Sequence, residues 1–175
     1  MLTYHDTEWG FPLHDERKHF EFLLLEFFQA GLSWRTILHK RENFRKAFDN
    51  FDAAKIACYP RRKIEALLQD PGIIRNKLKV EAAVNNAARF LEIEAKYGSF
   101  DKYIWGFTEG RQVVNRWTEF SQTPVSTGLS DRVSKDLKQQ GFKFVGTTTI
   151  YAHLQAIGVI NDHLVSCFRH KECRA

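Results

Sequence analysis

With 175 residues, 43% of them hydrophobic and 14% aromatic, the chain has the apolar surface for one domain with a real core, which excludes a disordered or low-complexity protein. A net charge of +5 is a mild bias toward anionic partners, nucleic acid first. No apolar run approaches the ~20 residues of a membrane span, the polar start MLTYHDTEWG is not a secretory leader, and the cysteines Cys58, Cys167 and Cys173 form no disulfide framework, so the expected setting is cytoplasmic with reduced thiols.

The pattern predicts helices nearly throughout. Asp15 is a candidate N-cap for a helix in which Phe20, Leu23, Leu24, Phe27 and Phe28 recur at helical spacing, ended at Gly31. Ser33 starts the next, with Ile37, Leu38, Phe44 and Phe48 as its stripe. Asp52 opens a short helix to Cys58, and another covers 61–69, with Ile64, Leu67 and Leu68 inward. Pro71-Gly72 breaks the chain. A long helix then runs to Tyr97, with Leu78, Val84, Ala87, Ala88 and Leu91 on its apolar face and Gly98 as its stop. Ser99 caps a shorter helix to Phe107. Residues 108–129 read as mostly irregular, a loop long enough to be either a warning about the element assignment or a functional feature. Helices near 130–140 and 147–157, ended by Gly141 and Gly158, close the chain. No stretch alternates with period 2, so the class is all-α.

Four constellations could carry chemistry. Glu26 interrupts the apolar run LLLEFF and shares a helix face with Phe22, Leu23, Gln29 and Ala30. A carboxylate there is costly unless hydrogen-bonded or facing a cavity, so it is either a residue at the core's rim or the acid of a pocket. YHDTEWG (4–10) gathers Tyr4, His5, Glu8 and Trp9, which packing alone could explain. His163-x-x-x-Cys167 sets an imidazole and a thiol about one helical turn apart, a weak pattern for two zinc ligands, with His5 a natural third if the chain ends meet. Finally, DPGIIRNKLK joins two helices and offers Arg75, Asn76 and Lys77 where a second helix begins. That suits a phosphate, or is an ordinary helical hairpin.

Together YHDTEWG (4–10), QAGLSW with KRENFRKAF (29–48), GIIRNKLK (72–79), GFKFVGTTTIY (141–151) and NDHLVSC (161–167) resemble the constitutive type I 3-methyladenine DNA glycosylase family, within the helix-hairpin-helix glycosylase superfamily. The segments span nearly the whole chain in family order. The resemblance implies a compact all-α glycosylase domain over 1–175, one domain or two helical lobes around a base pocket, with the termini packed together. It implies a monofunctional N-glycosylase that flips N3-methyladenine out of alkylated duplex DNA and cuts its glycosidic bond.

By the same resemblance Glu26 reads the alkylated base, Trp34 stacks on it, and Tyr4 and Trp9 line its pocket. Gly31 and Leu32 lie where the family pushes a loop into the duplex. Arg75 and Lys77, with the cations of 35–45, hold phosphates, and His5, His163 and Cys167 are three ligands of a structural zinc. The family's fourth ligand, a cysteine ahead of YHD, is not in this sequence: either a leading segment is missing, or the site is incomplete, or Cys173 or His170 supplies a substitute. The hairpin also lacks the superfamily's Gly-h-Gly pattern. A monomer is expected. The alternatives are a non-catalytic helical nucleic-acid-binding module on the same scaffold and a small zinc-stabilised interaction domain.

Overall fold

The computed structural model describes residues 1–174. The chain is helical almost throughout: α1 (Leu2–Thr7), α2 (Glu16–Gln29), α3 (Trp34–Ala47), α4 (Ala53–Ala57), α5 (Arg61–Gln69), α6 (Lys77–Tyr97), α7 (Phe100–Gly106), α8 (Gly128–Gln139), α9 (Thr147–Ala156) and α10 (Arg169–Glu172). Local chemistry sets the starts of most of these. Asp15, Ser33, Asp52, Asn76 and Ser99 each accept a backbone N–H three residues on, at 2.8 to 3.2 Å. Thr127 and Ser130 form a reciprocal capping box on α8.

α2 is the central post. Every side chain from His19 to Phe28 is buried, and it packs against α3, α6, α7 and α9. A helix apolar on all sides has to sit inside the fold. Around it stack Phe28, Phe44 and Phe48, and Phe20, Phe90 and Phe100.

Three expectations need correction. The buried face of α6 is Lys79, Val80, Ala82, Ala83, Asn86, Ala87, Phe90 and Ile93, whereas Leu78 stands 65% exposed. Counting apolar residues turned that face the wrong way because two polar side chains, Lys79 and Asn86, lie on it. Two strands also exist: β1 (Val113–Val114) pairs in parallel with β2 (Ile160–Asn161), too short for any alternation to register. And α1, expected only as a cluster of side chains, is a helix.

The segment after α1 crosses the segment after α9. Leu13 N–H donates to Ile157 O at 3.0 Å. At Gly158, with φ +71°, an added Cβ would fall 2.3 Å from the carbonyl carbon of Phe11, so the crossing leaves no room for a side chain.

Behind this crossing His153 is wholly buried, with no hydrogen-bond partner on either ring nitrogen among the described residues. Burial, with His19 nearby, pushes its pKa from 6.5 down to about 3. The unfolded chain therefore takes up a proton that the folded chain refuses. Stability from this group is complete above pH 6.5 and is lost as pH falls toward 3. His153→Leu is expected to make urea unfolding less pH-dependent between about pH 6.5 and 4; slopes identical to wild type would refute this.

Candidate active site

A cavity of about 280 Å³ opens beside the N-terminal end of the fold, lined by Met1, Tyr4, His5, Trp9, Glu26, Trp34, Phe120, Ala152 and Gln155. That is slightly below the roughly 300 to 1,000 Å³ of ordinary small-molecule sites, and suits one planar heterocycle. Glu26, Tyr4, Trp9 and Trp34, singled out from the sequence, all face it. Phe120 and Gln155 are additions. Phe120 is 80% exposed and belongs to the irregular stretch whose length was its only sequence signal. Gln155 looks like any helix-surface glutamine until α9 packs on α2.

The floor is Glu26, 5% exposed, accepting no hydrogen bond among the described residues. Burial alone raises its pKa from 4.5 to about 8. The nearest wall is aromatic: the Tyr4 and Trp34 rings lie 5.5 Å apart, centre to centre. Tyr4 has its hydroxyl buried without an acceptor, and burial, then the Glu26 charge, raises its pKa well above the ordinary value. The Glu26 carboxyl is thus the acid that the cavity offers to whatever enters it.

Three sets of contacts fix these walls. Arg41 grips Glu8 with two hydrogen bonds of 2.8 and 2.7 Å and Glu21 with a third of 2.8 Å, tying the end of α1 to α2 and α3. Arg45 adds a 2.8 Å bond to the buried Glu21. Asp162 accepts from Asn115, Trp117 and Gln155, each at 2.7 Å, and from Tyr151, anchoring the irregular stretch to α9. Lys40 donates to Pro71 O at 2.8 Å and braces the turn before α6. Lys40, Arg41 and Arg45 are thus committed inside the protein, which corrects the expectation that the cations of 35–45 act together on phosphates.

Arg35 and Arg75 are exposed and make no ion pair among the described residues, while Lys77 lies 3.9 Å from Glu81. The start of α6 already has its Asn76 cap, so its backbone N–H groups are less open to an anion than the sequence suggested. Gly31, at φ +81°, ends α2 and turns Leu32 outward, 38% exposed.

His5, His163 and Cys167 do converge. The Cys167 sulfur is 3.7 Å from His5 Nε2 and 3.7 Å from His163 Nδ1. A tetrahedral zinc with ordinary Zn–N and Zn–S lengths holds such atoms about 3.5 Å apart. The outward nitrogens are also engaged, His5 Nδ1 with Asp6 at 2.7 Å and His163 Nε2 with the Trp9 carbonyl at 3.0 Å, as in the outer shell of a zinc site. Two imidazole nitrogens and a thiol, all within 4.8 Å of one another, are donor types that suit the ion. Two details differ from expectation: His163 and Cys167 are brought together by a turn rather than a helix. Neither substitute fourth ligand serves, since Cys173 meets the far nitrogen of His163 and His170 is bonded to Asn115 O.

An acid-floored aromatic cavity of this size has room for one small planar group. Comparison with known proteins specifies the class. A family model described as methyladenine glycosylase matches residues 1–170. DNA-3-methyladenine glycosylase 1 of Escherichia coli (strain K12) is 46% identical over 166 residues, 95% of this chain and 89% of that one. A crystal structure of 3-methyladenine DNA glycosylase I superposes with TM-score 0.93 at 44% identity, over 99% of this chain and 93% of the other. A variant of 3-methyladenine DNA glycosylase I in complex with 3-methyladenine matches with TM-score 0.93 at 40% identity, over 95% and 90%. The chain belongs to the methyladenine glycosylase family.

Glu26 should register in stability. Its pKa is about 8 folded and near 4.5 unfolded, so ionising it opposes folding. The penalty begins above pH 4.5 and is complete above pH 8, where it amounts to roughly a few kcal/mol. Glu26→Gln is expected to raise the melting temperature at about pH 8.5 and hardly change it near pH 4.5; a pH-independent difference would contradict the assignment.

Proposed function

We propose that the protein is a monofunctional DNA glycosylase that releases N3-methyladenine from alkylated duplex DNA by drawing the base into the Glu26 cavity. The observation that carries this reading is a buried carboxyl with no hydrogen-bond partner, facing a cavity walled by aromatic rings. Its relatives' names point to the same base, and one solved relative holds it.

The chemistry asks little of the protein. Methylation at N3 gives adenine a formal positive charge, so the glycosidic bond breaks with its electron pair neutralising the leaving base. Water adds its oxygen to C1′ and gives up a proton. The products are neutral N3-methyladenine, an abasic sugar and H⁺, and no acid need protonate the base. Discrimination falls to the cavity. A cationic base draws the proton off Glu26 and pairs with the carboxylate, whereas neutral adenine offers no such compensation. Trp34 adds about 0.5 to 2 kcal/mol of cation–π attraction. Tyr4 and Trp9 close the slot, and Phe120 and Gln155 complete its rim.

Extrusion is assigned to the Gly31–Leu32 turn. Leucine filling the gap offsets part of the roughly few kcal/mol of unstacking. Arg35, Arg75 and Lys77 would contact phosphates without reading sequence. His5, His163 and Cys167 would hold a structural zinc, which when bound clamps the two ends of the chain together. The His5 and Trp9 side chains both line the cavity, so that clamp also steadies its wall. No described helix is long and apolar enough to cross a membrane; the proposed working form is a cytoplasmic monomer.

Incubating the protein with methylated DNA and separating the freed bases tests the reading. Released N3-methyladenine is expected, with kcat/KM rising as pH approaches about 8 and Glu26 ionises more readily. Glu26→Gln is expected to lose that slope and on the order of a hundredfold in kcat/KM, as for loss of a charged transition-state contact, while binding undamaged DNA normally. Retention of DNA with no base released would leave a non-catalytic binder. Elemental analysis is expected to find about one zinc per chain, and His163→Ala to lose it.

A further inference from the structure

Two polar side chains on the buried face of α6 have no part in the cavity or the metal cluster. Lys79, 6% exposed, directs Nζ at the C-terminal end of α2, donating to Phe28 O at 2.9 Å and Ala30 O at 2.6 Å. Asn86, fully buried, takes both backbone groups of Lys143: its Oδ1 accepts from Lys143 N–H at 2.8 Å and its Nδ2 donates to Lys143 O at 2.9 Å. Its neighbour Asn85 donates to Gly141 O at 2.9 Å. Lys79 and Asn86 are about two helical turns apart, and so share one face. One ties down the turn that exposes Leu32. The other ties down the hairpin between α8 and α9, whose tip exposes Lys143 and Phe144. The hairpin also touches α2 just ahead of that turn, Phe144 stacking on Phe27 with ring centres 6.3 Å apart.

We propose that Lys79 and Asn86 are positioning residues that make α6 a strut between the Leu32 turn and the Lys143–Phe144 hairpin, holding both at a fixed separation while a base is forced out of the duplex. This rests on the glycosylase reading above. The physical case begins with cost. A lysine ammonium is expensive to bury unless each donor finds an acceptor; burial lowers its pKa here. An apolar residue would pack in the same place without that expense. What lysine supplies is a pair of hydrogen bonds to helix-end carbonyls, where the helix dipole is negative. The turn has little else behind it: a Cβ on Gly31 would meet nothing within 4 Å, and among the described residues the hydrogen bonds of Leu32 go to Gln29. A leucine pressed into stacked bases pushes back on its loop, and without a brace the loop would yield.

The test separates extrusion from chemistry. Single-turnover release of N3-methyladenine is measured from methylated duplex DNA and from the same DNA heat-denatured, alongside affinity for the free base. Lys79→Met and Asn86→Leu are expected to slow release from duplex on the order of tenfold or more, as displaced catalytic geometry does. Release from denatured DNA and binding of free N3-methyladenine should change less than about twofold. Lys79→Arg and Asn86→Asp provide the same comparison in milder form should the first pair fail to fold. Undiminished release from duplex, or loss in parallel on duplex, denatured DNA and free base, would overturn the proposal, the second outcome marking a purely structural role. If wild type released no N3-methyladenine from either DNA, the glycosylase reading itself would fall.

Discussion

Glu26 is held near the end of a helix that is buried on every side, so its carboxyl cannot swing to solvent, and no described protein group offers it a hydrogen bond. Most of the surrounding architecture follows from that placement. α2 must be enclosed by α3, α6, α7 and α9 to be buried at all, and the cavity is the direction in which the acid is free to meet a partner. A buried acid of this kind works against stability and is tolerated where a ligand repays it. Here the ligand with the right chemistry is a planar base that brings its own positive charge.

The walls of that cavity come from parts of the chain that are far apart. Tyr4 and Trp9 are carried by the N-terminal segment, Trp34 by the start of α3, Gln155 by α9 and Phe120 by an irregular stretch. Several of these regions are steadied by contacts behind the cavity wall. The Arg41–Glu8–Glu21 network seats α1, Asp162 gathers four donors to seat the 115–117 segment and Gln155, and His163 holds the Trp9 carbonyl. Such ion pairs and hydrogen bonds between distant segments add geometric precision more than net stability. They also explain why so many of the positive charges near the cavity are internal braces, leaving few for DNA.

Much of the fold was legible residue by residue. Capping side chains mark helix starts to within a residue, as at Asp15, Ser33, Asp52 and Ser99, because a cap is a contact between near neighbours. The aromatic and acidic members of the site were legible through the family resemblance, and Glu26 also through its anomaly in an apolar run. Reading stopped where the deciding contact was long-range. The apolar count on α6 was misled by Lys79 and Asn86, whose partners lie about fifty residues away in the chain. The H-x-x-x-C spacing suggested a helical turn but belongs to a loop. Phe120 carried no mark beyond the length of its loop, since an exposed phenylalanine there is ordinary until its neighbours are known.

Local sequence therefore decided where most of the longer helices begin and end, and that an acid interrupts the most apolar of them. These depend on backbone capping and on hydrophobic periodicity, both expressed within a few residues. Tertiary structure alone decided that the acid faces a cavity rather than a salt bridge, which arginines are committed internally, and that Cys173 lies behind His163 instead of beside Cys167. Those outcomes turn on which side chains reach each other across the fold. Hydrogen-bond and metal-ligand chemistry acts over distances of roughly 2 to 4 Å, a scale that position along the chain does not encode.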